Sequence, residues 1–117
     1  MGIAIFNRKV GMKLEPVAEG TLTADGTEQT LVEDVVLSNL SGFVSLAEME
    51  AGDIVIIRQY VYLNGSYRLY ATETYSDAQI QPAICITPKT SNTQMKITFQ
   101  QTAGIYRNFA YEFNREV

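Results

Sequence analysis

The side chains in this sequence able to do chemistry are carboxylates, tyrosines and one thiol. Glu48, Glu50 and Asp53 fall within six residues, and Glu33 and Asp34 are adjacent. A catalytic carboxylate pair needs a cleft that holds the two groups at a set separation, and the surrounding residues point elsewhere. Ser45 followed by Glu48 is a capping box over a helical turn through Glu50, Gly52 stands where a C-cap glycine would, and Asp53 then leads into a strand. Glu33-Asp34 interrupts an apolar run with no further oxygen ligand at calcium spacing, so it reads as a solvated bulge. Cys85, the single cysteine, sits in the apolar run Ala83 to Ile86 and reads as a buried structural thiol. The chain has no histidine, which removes Ser-His and Cys-His nucleophiles, histidine bases and the commonest zinc sites together. An enzyme is not expected, and no cofactor or metal is implied.

What remains is the tyrosines, seven of them against no tryptophan. Five are in a stretch from Ala51 to Tyr75 that reads as a β-hairpin, because Asn64-Gly65 between two runs of β-formers accepts the positive φ angles of a tight connection. A two-residue loop puts Val61 opposite Arg68. A three-residue loop that includes Ser66 puts Val61 opposite Leu69 and Leu63 opposite Tyr67, and it is preferred because apolar residues then face apolar ones. On that register Val55, Ile57, Gln59, Val61, Leu63, Tyr67, Leu69 and Ala71 share one face, while Ile54, Ile56, Arg58, Tyr60, Tyr62 and Tyr70 share the other. The second face is too apolar to sit simply in water. It suits a subunit interface, where tyrosine buries area with its hydroxyl satisfied, or a sugar platform. Arg58 is expected to stack on an aromatic or to pair with a carboxylate across that interface.

The elements that must position this face form an all-β pattern. Strands are predicted at Gly20 to Ala24, at Glu28 to Leu40, at Phe43 to Leu46, in the hairpin, at Ala83 to Thr87, around Met95, Ile97 and Phe99, and at Tyr106 to Asn114, with Phe109, Tyr111 and Phe113 on one side. About seven to eight short strands with one short helical turn indicate an antiparallel β-sandwich or jelly roll over residues 20–117. Residues 1–19 read as an extended N-terminal arm in which Ile3, Ile5 and Phe6 are too apolar to be left in water. At 117 residues one domain is expected, and the apolar runs are too short to span a bilayer.

The net charge of −4 is segregated. Arg8, Lys9 and Lys13 open the chain without an acid, residues 14–57 hold nine acids and no base, and six bases and four acids follow. Nucleic acid would want a basic patch that the domain body lacks. A basic arm beside an acidic body better meets another copy of the chain, and the apolar face asks for the same homo-oligomer.

Five short blocks carry a resemblance: Ala51-Gly52-Asp53, Ile57-Arg58-Gln59-Tyr60, Thr74-Tyr75-Ser76, Ile86-Thr87-Pro88-Lys89 and Gln100-Gln101-Thr102-Ala103-Gly104. In that order, over residues 20–115, the chain resembles a group of small β-sandwich proteins encoded near virion genes of tailed phages, archaeal viruses and proviruses. The resemblance implies a virion structural protein, a capsid decoration or filament subunit, with a major capsid or other virion protein as partner and the virion as its location after synthesis in the host cytoplasm. It carries no catalytic or ligand residue. The alternative from the residues themselves is a module that binds a glycan or cell-surface ligand through Tyr60, Tyr62 and Tyr70.

Overall fold

Alternation marks the strands. Met95, Ile97 and Phe99 are buried while Gln94, Lys96 and Gln100 are half-buried, Thr98 being a buried exception, and Phe109 and Phe113 are fully buried on either side of exposed Ala110 and Glu112. A computed structural model describes residues 14–34, 39–87 and 94–116. Among them are eight strands: β1 (Leu14–Thr23), β2 (Gln29–Asp34), β3 (Leu40–Ser45), β4 (Ile54–Leu63), β5 (Ser66–Ser76), β6 (Ala83–Ile86), β7 (Met95–Ala103) and β8 (Asn108–Glu116).

They form two antiparallel four-stranded sheets, β1-β8-β3-β6 and β2-β7-β4-β5. Only β4 and β5 are joined within one sheet; every other connection crosses between the two. That is the eight-stranded jelly roll, in which paired sheets each present an apolar inner face. The slab measures 45 × 43 × 20 Å, its thin dimension being what two stacked sheets require. Val44, Val55, Ile57, Ile97, Phe99, Phe109 and Phe113 fill the space between, with the Phe99 and Phe109 rings 4.5 Å apart and tilted at 48°. Each such side chain contributes about 1.5–3 kcal/mol by leaving water. Gly42 of β3 has no room for a Cβ, which would collide with the Glu112 carbonyl and the Phe113 ring, so this glycine lets β3 and β8 close on the core.

Several local expectations are corrected. β1 begins at Leu14 and pairs along its length with β8, so residues 14–19 belong to the sheet; residues 1–13, with Ile3, Ile5 and Phe6, lie outside the described residues. Pro16 is tolerated because β1 is an edge strand with its irregularity there. The long strand predicted from Glu28 to Leu40 is two strands in different sheets, and its bulge falls at Leu31 rather than at Glu33-Asp34. That bulge lets consecutive Leu31 and Val32 both face the core, and Asp34 is buried too, 3.6 Å from Arg115. Cys85 is exposed, because alternation along β6 gives the inward positions to Ile84 and Ile86.

The helical turn is two successive tight turns, closed by Met49 N–H to Leu46 O at 3.2 Å and Asp53 N–H to Glu50 O at 3.1 Å. Ser45 Oγ accepts from Ala47 N–H at 3.4 Å, not from Glu48. Propagation stops because the Asp53 carboxylate takes the Glu50 N–H at 2.9 Å and folds the chain back. The hairpin has the two-residue loop, with Asn64 and Gly65 at φ 50° and 92° and Leu63 opposite Ser66, so Val61 faces Arg68. Paired positive φ angles twist a hairpin in the same sense as its strands, and a bulge at Tyr70 returns the pairs from Gln59–Ala71 onward to the register of the longer loop.

Candidate functional site

The two-residue loop, and beyond it the bulge, decide which side chains share the outer face of the second sheet. β4 presents Ile54, Ile56, Arg58, Tyr60 and Tyr62 there, alternating with buried Val55 and Ile57. All five are half-buried. The two-residue loop sets Tyr67 opposite Tyr62 on the outer face, while Tyr70, the extra residue of the bulge, turns to the other side and donates its hydroxyl to Gln59 Oε1 at 3.0 Å. Tyr70 therefore does not join Tyr60 and Tyr62, and Tyr67, assigned inward from the sequence, does.

Around these rings the sheet assembles a polar network. The Tyr60 and Thr98 hydroxyls both donate to Glu28 Oε2 at 2.5 Å, and Arg58 lies 3.6 Å from the same carboxylate and donates to Gln100 Oε1 at 3.0 Å. Tyr67 donates to Glu33 at 2.5 Å, and its ring meets Tyr62 edge to face at 5.2 Å. The Lys96 ammonium lies over both Tyr60 and Tyr67, 4.9 and 4.5 Å from the ring centres. Arg58 thus finds its carboxylate within its own chain rather than across an interface. Glu28, Glu33, Lys96 and Thr98 were missed by sequence reasoning; the outward alternation of Lys96 on β7 was the one signal that pointed to this face.

The electrostatics follow from the contacts. Burial pushes the Glu28 carboxyl up, but hydrogen bonds from Thr98 and Tyr60 and the charges of Arg58 and Lys96 outweigh it and hold it below the ordinary glutamate value. Burial, then the bond to Glu28, raises the Tyr60 phenol. Burial, then Glu33, pushes the Tyr67 phenol up to about 12. Neutral tyrosines donating to ionised carboxylates are what the face holds at neutral pH. No nucleophile with a base is among these groups, and no cluster of three or more metal-ligating side chains occurs among the described residues.

Large exposed apolar side chains lie elsewhere: Leu63 and Leu69 at the free end of the hairpin, Phe43 on the outer face of the first sheet, and Ile80 and Ile105 in loops. Phe43 borders an open hollow of about 450 Å³ whose rim also includes Glu19, Ala83, Ala110 and Glu112. Glu19 and Glu112 oppose each other directly across β1 and β8.

At the base of the hairpin, two of the five sequence blocks meet, with Asp77 beside them. Asp53, 1% exposed, takes the Glu50 and Ile105 N–H groups at 2.9 and 3.1 Å and Arg107 Nε at 2.8 Å. Gln101, fully buried, donates to the Ala103 and Ile105 carbonyls and accepts from Arg107 N–H. Asp77 closes the third side, its N–H donating to Asp53 O and its carboxylate accepting from Gly52 N–H at 2.7 Å. Gly104 has φ +89°, and a Cβ there would strike the Asp53 carboxylate. These motif residues hold the turns of one end of the sandwich in place and do not form a ligand site.

No protein-family model matches the sequence, and no curated protein matches it. Solved structures are similar, two of them from one virus. One is a chain in the structure of infectious bursal disease virus Gx strain, with TM-score 0.51 at 11% identity over 90% of this chain and 31% of that one. The other is in the infectious bursal disease virus VP2 subviral particle, with TM-score 0.47 at 10% identity over 99% of this chain and 36% of that one. The chain spans about a third of the length of each. At such identity the likeness is one of fold: this β-sandwich is shared with part of a chain from a virus.

Proposed function

We propose that the protein is a structural subunit of a virion, of the phage or archaeal-virus kind its sequence blocks resemble, and that it decorates a capsid or builds a filament by self-association and docking on a lattice. The observation that carries this reading is the jelly-roll order of its sheets, an architecture recurrent in capsid domains, together with its likeness to a chain of a virus. Residues 1–13 are the part we assign to cross-subunit contact: Ile3, Ile5 and Phe6 supply an apolar segment, and Arg8, Lys9 and Lys13 carry positive charge toward a body rich in acids. Because β1 starts at Leu14, deleting residues 2–13 removes no described strand. The expected outcome is a full-length protein that is oligomeric by light scattering at tens of micromolar and present in stoichiometric amount in purified particles, and a truncated one that folds and assembles poorly. A stable full-length monomer absent from particles overturns the proposal.

A second reading, a glycan-binding module, draws on the hollow beside Phe43, where an exposed aromatic ring lies next to Glu112, with Glu19 on the far side of Glu112. It does not draw on the tyrosine face, whose phenols are already engaged by Glu28 and Glu33. Glycan retention lost in Phe43→Ala with assembly intact would favour it.

A further inference from the structure

Strand β5 is the edge of the second sheet and pairs only with β4 among the described residues. It runs for eleven residues, about twice the usual strand length, and contains no proline or lysine to blunt it. Arg68, Leu69, Thr72, Glu73 and Thr74 along it are exposed. Such an edge offers a row of backbone donors and acceptors to any second strand.

The bulge gives this edge a symmetry. Arg68 opposes Val61 and Glu73 opposes Ile57, and Val61 and Ile57 lie on one face of β4, so Arg68 and Glu73 share a face although they are five residues apart. In an unbulged strand residues five apart point to opposite faces. An antiparallel partner must match face to face, which a copy of β5 does only when the two-fold axis passes between two residues rather than through one. Placed between Tyr70 and Ala71, the axis sets Arg68 of each copy opposite Glu73 of the other, Leu69 opposite Thr72, and Tyr67 opposite Thr74. Moving it one residue either way separates the charges. Neither Arg68 nor Glu73 makes a salt bridge among the described residues.

We propose that β5 pairs with β5 of a second copy about this axis, joining two second sheets into one continuous eight-stranded sheet. The interface is isologous, the self-complementary kind that a two-fold dimer needs, and its partner is another copy of this chain. The inference rests on the self-association reading above and specifies the surface used.

Charge exchange tests it. Arg68→Glu and Glu73→Arg each turn both cross-copy pairs into like-charge contacts, and each is expected to weaken the dimer about tenfold or more in sedimentation velocity. Mixing the two variants sets an acid opposite a base at both contacts and should recover a heterodimer, and Arg68→Glu combined with Glu73→Arg in one chain should recover the homodimer. Circular dichroism checks that each variant keeps its β content. A wild-type protein that is monomeric overturns the self-association reading itself. An oligomeric wild type whose single variants assemble unchanged, or whose mixed variants fail to recover, overturns this edge and register while leaving that reading in place.

Discussion

Asp53 at the base of the hairpin and Glu28 on the outer face of the second sheet gather similar partners. Each carboxylate has an arginine beside it and two further donors, and the contacts to it hold each below its ordinary value against burial. They differ in what donates and in access to water. Asp53 is 1% exposed and two of its donors are backbone N–H groups, so its contacts fix the path of the chain. The Glu28 side chain is 36% exposed and takes only side-chain donors, from strands already placed by their own ladders. One region is buried scaffold, the other a partly solvated surface. Burial decides how much each network is worth, since water competes for every group around Glu28 and for almost none at Asp53.

The comparison breaks first at Asp53. Asp53→Ala leaves the Glu50 and Ile105 N–H groups and the Arg107 guanidinium without their acceptor, and breaking a buried pair of this kind costs about 3–5 kcal/mol, a large part of the roughly 5–15 kcal/mol that holds a domain folded. Chemical denaturation should show a midpoint shifted by that amount or no folded baseline. The sign with pH is set by the lowered carboxyl. Its stabilisation is fully present above the ordinary aspartate value near about 4 and is lost as pH falls through the depressed folded value. Asp53→Asn should therefore be weaker than wild type at neutral pH and approach it in acid. Parallel curves for the two proteins across the acid range would show that the charge carries nothing.

How much of this was legible in the sequence depends on whether the cause was local. Asn64-Gly65 announced the hairpin, and the alternation of Met95, Ile97 and Phe99 announced a core strand, because turn angles and facing are set by neighbours in sequence. The jelly-roll class followed from the count of strands and turns. The register did not, because Asn64-Gly65 fits either loop length, and the two-residue loop exchanged Tyr70 for Tyr67 on the outer face, while the bulge at Tyr70 shifts the pairs beyond it. Asp53 looked like a strand-leading acid because its ligands at Ile105 and Arg107 lie more than fifty positions away. Cys85 and Asp34 were reversed for the same reason: an apolar run suggested burial and a charge suggested solvent, while strand parity put the thiol outside and the carboxylate inside.

A smaller effect is expected at the other carboxylate. Glu28→Gln keeps the shape and an acceptor for Tyr60 or Thr98 but removes the charge beside Arg58, and a partly solvated pair contributes about 1 kcal/mol or less. Thermal unfolding should move by a few degrees at most, with β content unchanged. A loss as large as that of Asp53→Ala would make the outer face scaffold as well and erase the distinction between the two regions.

The smallest and sharpest test is the phenol of Tyr67. It is pushed up to about 12 by burial first and then by the hydrogen bond and charge of Glu33, so the folded protein holds it neutral where an unfolded tyrosine would ionise. The stabilisation this gives is complete below about pH 10 and is lost as pH rises from there toward 12. Phenolate absorbance in wild type minus Tyr67→Phe should reveal one group titrating near the top of that range, apart from the other tyrosines. Glu33→Gln should bring it down, because a neutral amide no longer repels the forming phenolate. Burial, the largest cause, then remains beside the smaller and opposed effects of Gln94 and Tyr62, so the residual elevation reports chiefly how dry the outer face is. A difference curve centred at the ordinary tyrosine value would mean that water reaches the Tyr67–Glu33 pair freely, and that the outer face is further from the protected environment around Asp53 than its contacts imply.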